Sequence, residues 1–193
     1  AQIQQVQEKF GLDRPYFLYL GTLEPRKNLE RLMEAYHQFA AAMEEPPYLV
    51  LAGGKGWLDA GIYQQVQRLQ LEKNVLFTEY VPGEEICPLM CGALAFVFPS
   101  IYEGFGMPPL EAMACGVPVL TTHAASLPEV VGDAAVITDP YDAASMAEGL
   151  ARLYTDQTLR QQLREAGLKR AALFSWENSA RQLYEVYREV CNG

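Results

Sequence analysis

Basic residues are in the minority in this chain of 193 residues. It has 15 Lys plus Arg against 24 Asp plus Glu, which gives a net charge of −9. This deficit of positive charge argues against a general nucleic-acid or anionic-membrane surface, because such binding needs clustered Lys and Arg. Any anionic ligand must therefore be held by a local group of cations.

Cysteine and histidine are also scarce. The four cysteines include no CxxC pair, so they do not indicate a disulfide framework. Cys87 and Cys91 are one helical turn apart, but the two histidines, His37 and His123, are far away in the sequence. Structural zinc usually needs four ligands, so we expect buried thiols, with a metal site at Cys87 and Cys91 as the less favoured alternative.

Long hydrophobic runs are missing as well. The longest, residues 93–98, is far shorter than the ~18 residues of a membrane-spanning helix. The first residues show no basic region followed by an apolar stretch, as a secretory signal would. These observations predict a soluble, reducing and cytoplasmic setting.

Six short apolar runs alternate with longer amphipathic stretches. The runs are continuously apolar, as expected for strands buried on both faces of a sheet. Their long connections predict right-handed βαβ crossovers. We therefore predict an α/β protein with a Rossmann-like, doubly wound parallel sheet of about six strands. The runs are residues 16–20, 48–52, 75–78, 94–98, 117–121 and 134–137.

The last third of the chain reads as helical. Beyond Pro140 no strand is evident, and we predict three extra C-terminal helices. No repeat or Gly/Ser linker divides the sequence, so we predict one domain, 1–193. Ser175 is the expected N-cap of the last helix. One apolar stripe runs along that helix: Trp176, Ala180, Leu183, Tyr187 and Val190.

Two cations follow the first predicted strand. Residues 21–28 read GTLEPRKN, which places Arg26 and Lys27 directly before Asn28, a plausible N-cap. Ligands of open α/β sheets bind beyond the carboxyl ends of the strands, beside helix N-termini that favour anions. The pair therefore suits a phosphate or diphosphate, with an ordinary solvated charge pair as the alternative.

A glycine-rich turn, GGKGW at residues 53–57, follows the second predicted strand. It lacks the spacing of a P-loop. Gly53 permits close approach of a ligand to the backbone. A plain loop and a ligand contact fit this turn equally well.

The loop after the fourth predicted strand carries two acids. Glu103 lies in a glycine-rich turn, and Glu111 is predicted in the first turn of a helix begun by Pro108 or Pro109. The two carboxylates can converge on one small molecule, for instance on sugar hydroxyls. The alternative is that they only complement a helix dipole.

Three further polar groups are assigned to structure. Residues 126–129, SLPE, fit a capping box. His123 is expected to cover the sheet edge, because nothing orients it as a base. Asp139 and Asp142 are the nearest approach to a DxD pair, and their spacing disfavours a metal-dependent diphosphate site.

These motifs resemble the C-terminal, donor-binding half of group 1 retaining glycosyltransferases of the GT-B fold. The resemblance covers nearly the whole chain and rests on residues 21–28, on the E-x7-E segment at 102–118 and on 126–130. It implies that Lys27, helped by Arg26, neutralises the diphosphate of a nucleotide sugar and that Glu111 binds its ribose. The implied catalytic residues are Arg26, Lys27 and Glu103. Glu103 would hold the donor sugar together with the backbone of Gly104, Phe105, Gly106 and Met107.

The remaining implied contacts lie on neighbouring loops. The base would bind near Tyr80 and Val81, and Gly21, Thr22 and Gly53 complete the substrate-binding set. Many family members carry Arg where this chain has Thr22, and Arg26 is expected to replace it. The resemblance implies no cofactor and no metal, since the nucleotide sugar is itself the donor substrate.

The resemblance also implies a larger enzyme. A missing N-terminal domain would bind the acceptor, and the terminal helix, 175–191, would contact it. The full-length enzyme is expected in the cytoplasm, with peripheral membrane attachment as an alternative. GDP-mannose or a similar hexose donor is expected. A non-catalytic nucleotide-binding or partner-docking module remains open, whereas an NAD-dependent oxidoreductase is disfavoured because no GxGxxG follows the first strand.

Overall fold

The computed structural model describes residues 1–54, 56 and 60–192. The helices within these ranges are α1 (Gln2–Lys9), α2 (Leu29–Ala40), α3 (Ala60–Arg68), α4 (Gly83–Cys91), α5 (Met107–Ala114), α6 (Leu127–Val131), α7 (Ala143–Thr155), α8 (Gln157–Ala171) and α9 (Trp176–Asn192). The strands are β1 (Tyr16–Leu20), β2 (Tyr48–Ala52), β3 (Val75–Glu79), β4 (Ala95–Phe98), β5 (Val119–Thr122) and β6 (Ala135–Thr138).

The strands form one parallel sheet in the order β3-β2-β1-β4-β5-β6. The predicted Rossmann-like, doubly wound fold is therefore confirmed. The chain winds outward in one direction from β1 and in the other from β4, so the topological switch point lies between these two strands. Leu18 of β1 is in register with Phe96 of β4, which brings the carboxyl ends of both strands to the same rim.

The sheet is covered on both faces, and its central strands are buried along almost their whole length. Phe17 of β1 packs edge-to-face on Phe39 of α2, with ring centroids 5.6 Å apart. Burying such a side chain contributes about 1.5–3 kcal/mol. The edge strand β6 is less protected, since Ile137 is 41% exposed. The continuously apolar runs thus mark the interior of the sheet, from which the loops of the rim project.

Three helices follow the last strand, as predicted. The Ser175 hydroxyl accepts a hydrogen bond from the backbone N–H of Asn178 at 3.1 Å, which confirms it as the cap of α9. From Trp176 to Cys191 every residue of α9 is exposed, including its apolar stripe. No helix among residues 1–54, 56 and 60–192 is long and apolar enough to cross a bilayer.

The expectation of buried thiols is wrong. Cys87 and Cys91 on α4 are exposed, and Cys115, which follows α5, is half-buried. Cys91 and Cys115 line a surface groove, and Cys115 packs only against the edge of the hydrophobic core. The apolar neighbours Leu89 and Met90 take the buried positions of α4.

Candidate functional site

The candidate site lies at the switch point, where the loops after β1 and β4 meet. The loop after β1 contains one 3₁₀ turn, Pro25–Lys27, which carries both cations of the GTLEPRKN segment. The loop after β4 runs through residues 99–106 into α5. The backbone N–H of Ile101 donates to the carbonyl of Arg26 at 2.9 Å, so the two loops are joined directly.

The carboxylate of Glu103 forms ion pairs with both Arg26 and Lys27. Lys27 Nζ lies 2.7 Å from Glu103 Oε1, and Arg26 Nη1 lies 2.8 Å from Glu103 Oε2. Arg26 also contacts Glu24, with Nη2 2.6 Å from Oε1. The Lys27 side chain is only 8% exposed and that of Glu103 is 11% exposed. The sequence placed these residues on separate loops, and the fold brings them into one ion cluster.

The environment of Glu103 keeps it charged. Burial alone would raise the pKa of this carboxyl, but the hydrogen bonds from Lys27 and Arg26 outweigh burial and hold the pKa below its ordinary value. The buried Ser100 hydroxyl beside this carboxylate also favours its charged form. At neutral pH the Glu103 carboxylate therefore lies between two cations, and Arg26 carries Glu24 as a second carboxylate partner.

Lys27 is held from a second side by an aromatic ring. Its Nζ lies 4.7 Å from the ring centroid of Phe98, the last residue of β4. A cation above an aromatic face is stabilised by the ring quadrupole. The ammonium group is thus oriented before any ligand arrives.

Asn28 connects three loops. It occupies the N-cap position of α2 with a left-handed backbone, φ 60° and ψ 33°, but its side chain makes no capping bond. Instead, Nδ2 donates to the carbonyls of Pro99 at 3.1 Å and Pro140 at 2.7 Å. Asn28 therefore occupies the predicted N-cap position but does not make the predicted capping bond. Its side-chain amide is oriented instead by donating to these two buried loop carbonyls.

The predicted capping box at residues 126–129 is wrong. Ser126 precedes α6 without a side-chain capping bond. Its Oγ lies 2.9 Å from the carbonyl oxygen of Glu103 and 3.0 Å from that of Phe105. A hydroxyl has one hydrogen, which can donate to either carbonyl. Ser126 thus positions the acidic loop, a role that the local SLPE pattern concealed.

Gly106 makes the turn into α5. Its φ of +103° is costly for any residue with a Cβ, and a Cβ here would lie 2.7 Å from the Leu127 side chain. Around Gly104, by contrast, an added Cβ would meet nothing within 4 Å. The loop is therefore tightly packed at Gly106 and open to a ligand at Gly104, beside the exposed side chains of Phe105 and Met107.

Glu111 lies just beyond the first turn of α5, whereas the sequence predicts it within that turn. The helix begins at Met107 and not at a proline, so Glu111 is its fifth residue and lies outside the first turn. The glycine conformation at Gly106 already starts the helix, which leaves both prolines inside its first turn. Glu111 is exposed, on the helix that begins four residues beyond Glu103.

The remaining predicted positions surround this rim. Gly21 and Gly53 end β1 and β2, and a Cβ on Gly53 would lie 2.1 Å from the Gly21 carbonyl oxygen, so the two loops touch through their backbones. Thr22 is exposed. Tyr80 is 78% exposed, whereas Val81 is buried as a whole residue, so Tyr80 presents most of the surface that a ligand can contact in this pair.

Among the described residues, His123, Asp139 and Asp142 make no ion pair with the cluster. Lys55 and Trp57, from the GGKGW turn, fall outside the described residues. His123 lies at the exposed end of β5, with Nε2 3.8 Å from Asp139 Oδ1. Asp142 caps α7 through the N–H of Ala144 at 2.9 Å.

Sheet order and rim together define a Rossmann-like α/β domain with its candidate ligand site at the switch point. The family model described as "Glycosyl transferases group 1" matches residues 2–170. The chain belongs to this family.

The chain spans about half the length of three known proteins to which it is similar. The O-antigen chain mannosyltransferase B of Escherichia coli is 40% identical over 189 residues, which cover 97% of this chain and 50% of that protein. The sucrose-phosphate synthase from Thermosynechococcus elongatus, 29% identical, aligns with a TM-score of 0.81 over 98% of this chain and 49% of that one. Anabaena Alr3699/HepE, in complex with UDP and glucose, is 23% identical with a TM-score of 0.85 over 97% and 52%.

Proposed function

We propose that this chain is the donor half of a metal-independent, retaining hexosyltransferase that takes GDP-mannose or a similar nucleotide-diphosphate hexose. The single observation that carries this proposal is the cluster of Arg26, Lys27 and Glu103 at the switch point. Membership in the glycosyl transferases group 1 family supports the reaction class. The similarity to an O-antigen mannosyltransferase favours a mannosyl donor.

Arg26 and Lys27 are proposed to bind the diphosphate. Both already lie within hydrogen-bond distance of one carboxylate, so a diphosphate can replace Glu103 as their partner with little movement of either cation. Glycosyl transfer develops negative charge on the leaving diphosphate, and fixed cations stabilise this charge without reorganisation. The chain has no DxD pair, and the two cations take the part that a divalent ion plays where such a pair exists.

The start of α5 supplies additional donors. The first four N–H groups of a helix have no intrahelical partner. Two of these positions are Pro108 and Pro109, which have no N–H, so Gly106 and Met107 provide the remaining donors. These two backbone N–H groups face the glycine loop and, in this proposal, donate hydrogen bonds to a phosphate or sugar oxygen of the donor.

The carboxylates are proposed to bind hydroxyl groups of the donor. Once the diphosphate takes over the cations, Glu103 becomes free to accept hydrogen bonds from the sugar. Glu111, which is exposed on α5, binds the ribose hydroxyls. The base binds near Tyr80 and Val81, and Gly21, Thr22 and Gly53 complete the substrate-binding set.

Retention of the anomeric configuration is proposed from the family resemblance. The leaving phosphate accepts the proton of the acceptor hydroxyl while that oxygen attacks the anomeric carbon on the face from which the phosphate departs. No side chain of this chain then has to act as a nucleophile. Arg26 and Lys27 contribute by stabilising the departing phosphate oxygens.

The acceptor is proposed to bind a second domain that contacts α9. The chain spans about half the length of the relatives named above. Exposed apolar surface of this extent indicates a partner surface. Trp176 is 79% exposed, Tyr184 and Tyr187 are each 60% exposed, and Val190 is 75% exposed. The single domain at 1–193 would therefore bind donor without transferring it efficiently.

Calorimetric titration with GDP, GDP-mannose, UDP and UDP-glucose tests the proposal. We expect saturable heat with GDP and GDP-mannose, and no efficient sugar transfer by this chain alone. Absence of binding to all four compounds would contradict the proposal. Binding of nucleotide without any sugar preference, retained after addition of an acceptor domain, would favour the non-catalytic module instead.

A further inference from the structure

Three thiols converge on the opposite side of the domain from the candidate site. Cys87 lies in the middle of α4, Cys91 is its last residue, and Cys115 directly follows α5. The Cys87 sulfur is 3.8 Å from that of Cys91 and 4.0 Å from that of Cys115. All three sulfur atoms lie within 4.8 Å of one another. Neither the donor site nor the hydrophobic core accounts for this cluster.

The spacing of the sulfur atoms matches that of a metal-thiolate site. A Zn–S bond is about 2.3 Å, so two thiolates of a tetrahedral zinc centre lie about 3.8 Å apart. Two of the three pairs have this separation as they stand, and the third has to close by roughly 1 Å at most. We propose that Cys87, Cys91 and Cys115 bind one zinc ion.

The surroundings favour a thiophilic cation over a hard one. The adjoining groove, of about 510 Å³, is lined by Cys91, Cys115, Arg160 and Arg164 among other residues, and none of the lining residues is a carboxylate. Soft thiolate ligands select Zn²⁺ or Cu⁺ over Mg²⁺ or Ca²⁺. Three thiolates and Zn²⁺ carry a net charge of −1.

Arg164 is placed to balance that charge. Its Nε would lie 3.4 Å from a Cβ on Gly116, the residue that follows Cys115. Arg160, its neighbour in the groove, is already committed to the carbonyls of Leu153 and Tyr154 at 2.7 Å and 2.8 Å. The fourth tetrahedral position faces solvent, so a water molecule or an external ligand completes the coordination.

The proposed ion would tie two helices that lead to the donor site. Helix α4 begins two residues after Val81, and α5 begins in the glycine loop beyond Glu103. The proposed ligands lie further along the same helices, at the middle and last residues of α4 and directly after α5. Zinc is therefore a structural staple that fixes the relative positions of α4 and α5, and this role does not depend on the proposed function.

Zinc titration of the reduced chain against a chromophoric chelator tests the site. We expect one zinc ion per chain. Each of the three single replacements by serine, at Cys87, Cys91 or Cys115, should weaken zinc binding at least about tenfold. Cys191→Ser is the matched control, because this exposed thiol lies outside the cluster, and its binding should equal that of the unmodified chain.

Two further readouts identify the ligands. Co²⁺ in a tetrahedral thiolate site gives a sulfur-to-metal charge-transfer band, which should be lost in Cys115→Ser. Zinc should raise the melting temperature of the unmodified chain and not that of the three variants, because a ligand stabilises only the state that binds it. Alkylation of the unmodified chain supplies a test that needs no variant: zinc should protect three thiols and leave Cys191 reactive.

Specific results would overturn the site. Zinc binding that is absent, or equal in the three serine variants and the control, contradicts it. So does uniform alkylation of all four thiols with zinc present. A mass loss of two hydrogens in the chain purified without reductant, together with no zinc binding after reduction, would instead identify a disulfide pair.

Discussion

Lys27 Nζ and Glu103 Oε1 are 2.7 Å apart, and both side chains are about nine-tenths buried. Removing one partner of such a pair normally leaves an uncompensated buried charge. Here Arg26 contacts the other oxygen of the same carboxylate, so Glu103 keeps a cation when Lys27 is lost. The cluster can therefore give up one of its contacts to a ligand without collapse.

Lys27→Ala should weaken GDP binding while the fold remains intact. A hydrogen bond to a charged group is worth about 1.5–3 kcal/mol, which corresponds to a roughly 10- to 100-fold loss of affinity. Calorimetry measures the affinity, and circular dichroism checks the fold. Lys9→Ala removes a comparable but more exposed ion pair, with Glu85, and should leave affinity unchanged. Equal affinities for both variants would remove Lys27 from the site.

Acidification should selectively remove the stability contributed by Glu103. Its pKa in the folded chain lies below the ordinary 4.5, so its contribution is complete above pH 4.5 and is lost as the pH falls through the folded value. Urea midpoints of the unmodified chain and Glu103→Gln should therefore differ most at neutral pH and converge in acid. Glu85→Gln is the control for an exposed pair. A difference for Glu103→Gln that is constant with pH would contradict the prediction.

Glu111→Gln should lower affinity for ribonucleotides more than for their 2′-deoxy analogues. A carboxylate accepts hydrogen bonds from a ribose hydroxyl more strongly than a neutral amide does. Paired titrations with GDP and 2′-deoxy-GDP measure the difference. Glu148→Gln, at an exposed position on α7, should change neither affinity. An equal loss for both nucleotides would argue against the ribose contact.

Ser126→Ala should loosen the acidic loop. Loss of its hydroxyl leaves the carbonyls of Glu103 and Phe105 without this donor and should cost about 1 kcal/mol of unfolding free energy. Donor affinity should fall several-fold as well. Thr155→Val removes a hydroxyl bond to Ala151 on α7 and should affect stability alone. Should both variants retain full affinity, Ser126 has no positioning role.

Magnesium should not be required for nucleotide binding. Arg26 and Lys27 supply the positive charge that the diphosphate needs, so affinity for GDP should be the same with Mg²⁺ and after its removal. Titrations in chelator-treated and Mg²⁺-containing buffers make the comparison. The Cys87→Ser variant repeats it without the proposed zinc site. A strict Mg²⁺ requirement in both chains would overturn the metal-free account.

The sheet was largely predictable because burial on both faces leaves a local signature. The first two strands, Tyr16–Leu20 and Tyr48–Ala52, coincide with the predicted runs, and the others differ by at most two residues at an end. The rule that ligands bind where strands end then directed attention to Arg26, Lys27 and Glu103. Their meeting in one ion cluster follows from the parallel order of β1 and β4.

Long-range polar contacts could not be predicted in the same way. Ser126 fits a local capping pattern, yet its hydroxyl serves carbonyls more than 20 residues away. Cys115 lies 24 residues beyond Cys91, so the cluster of three thiols depends on the packing of α4 beside the end of α5. The sequence around a short polar side chain reveals only hydrogen-bond partners that are close along the chain. Whether it bonds to one of these or to a distant group depends on the tertiary fold.

The amide of Asn28 bridges carbonyls that lie 71 and 112 positions further along the chain. During synthesis, the loop that carries Arg26, Lys27 and Asn28 therefore lacks the second of these hydrogen bonds until the segment containing Pro140 has left the ribosome. The proposed donor site is therefore complete only after the segment containing Pro140 has packed against Asn28. A nascent chain that is cut short before that point carries both cations and both acids and still has an unfinished binding surface.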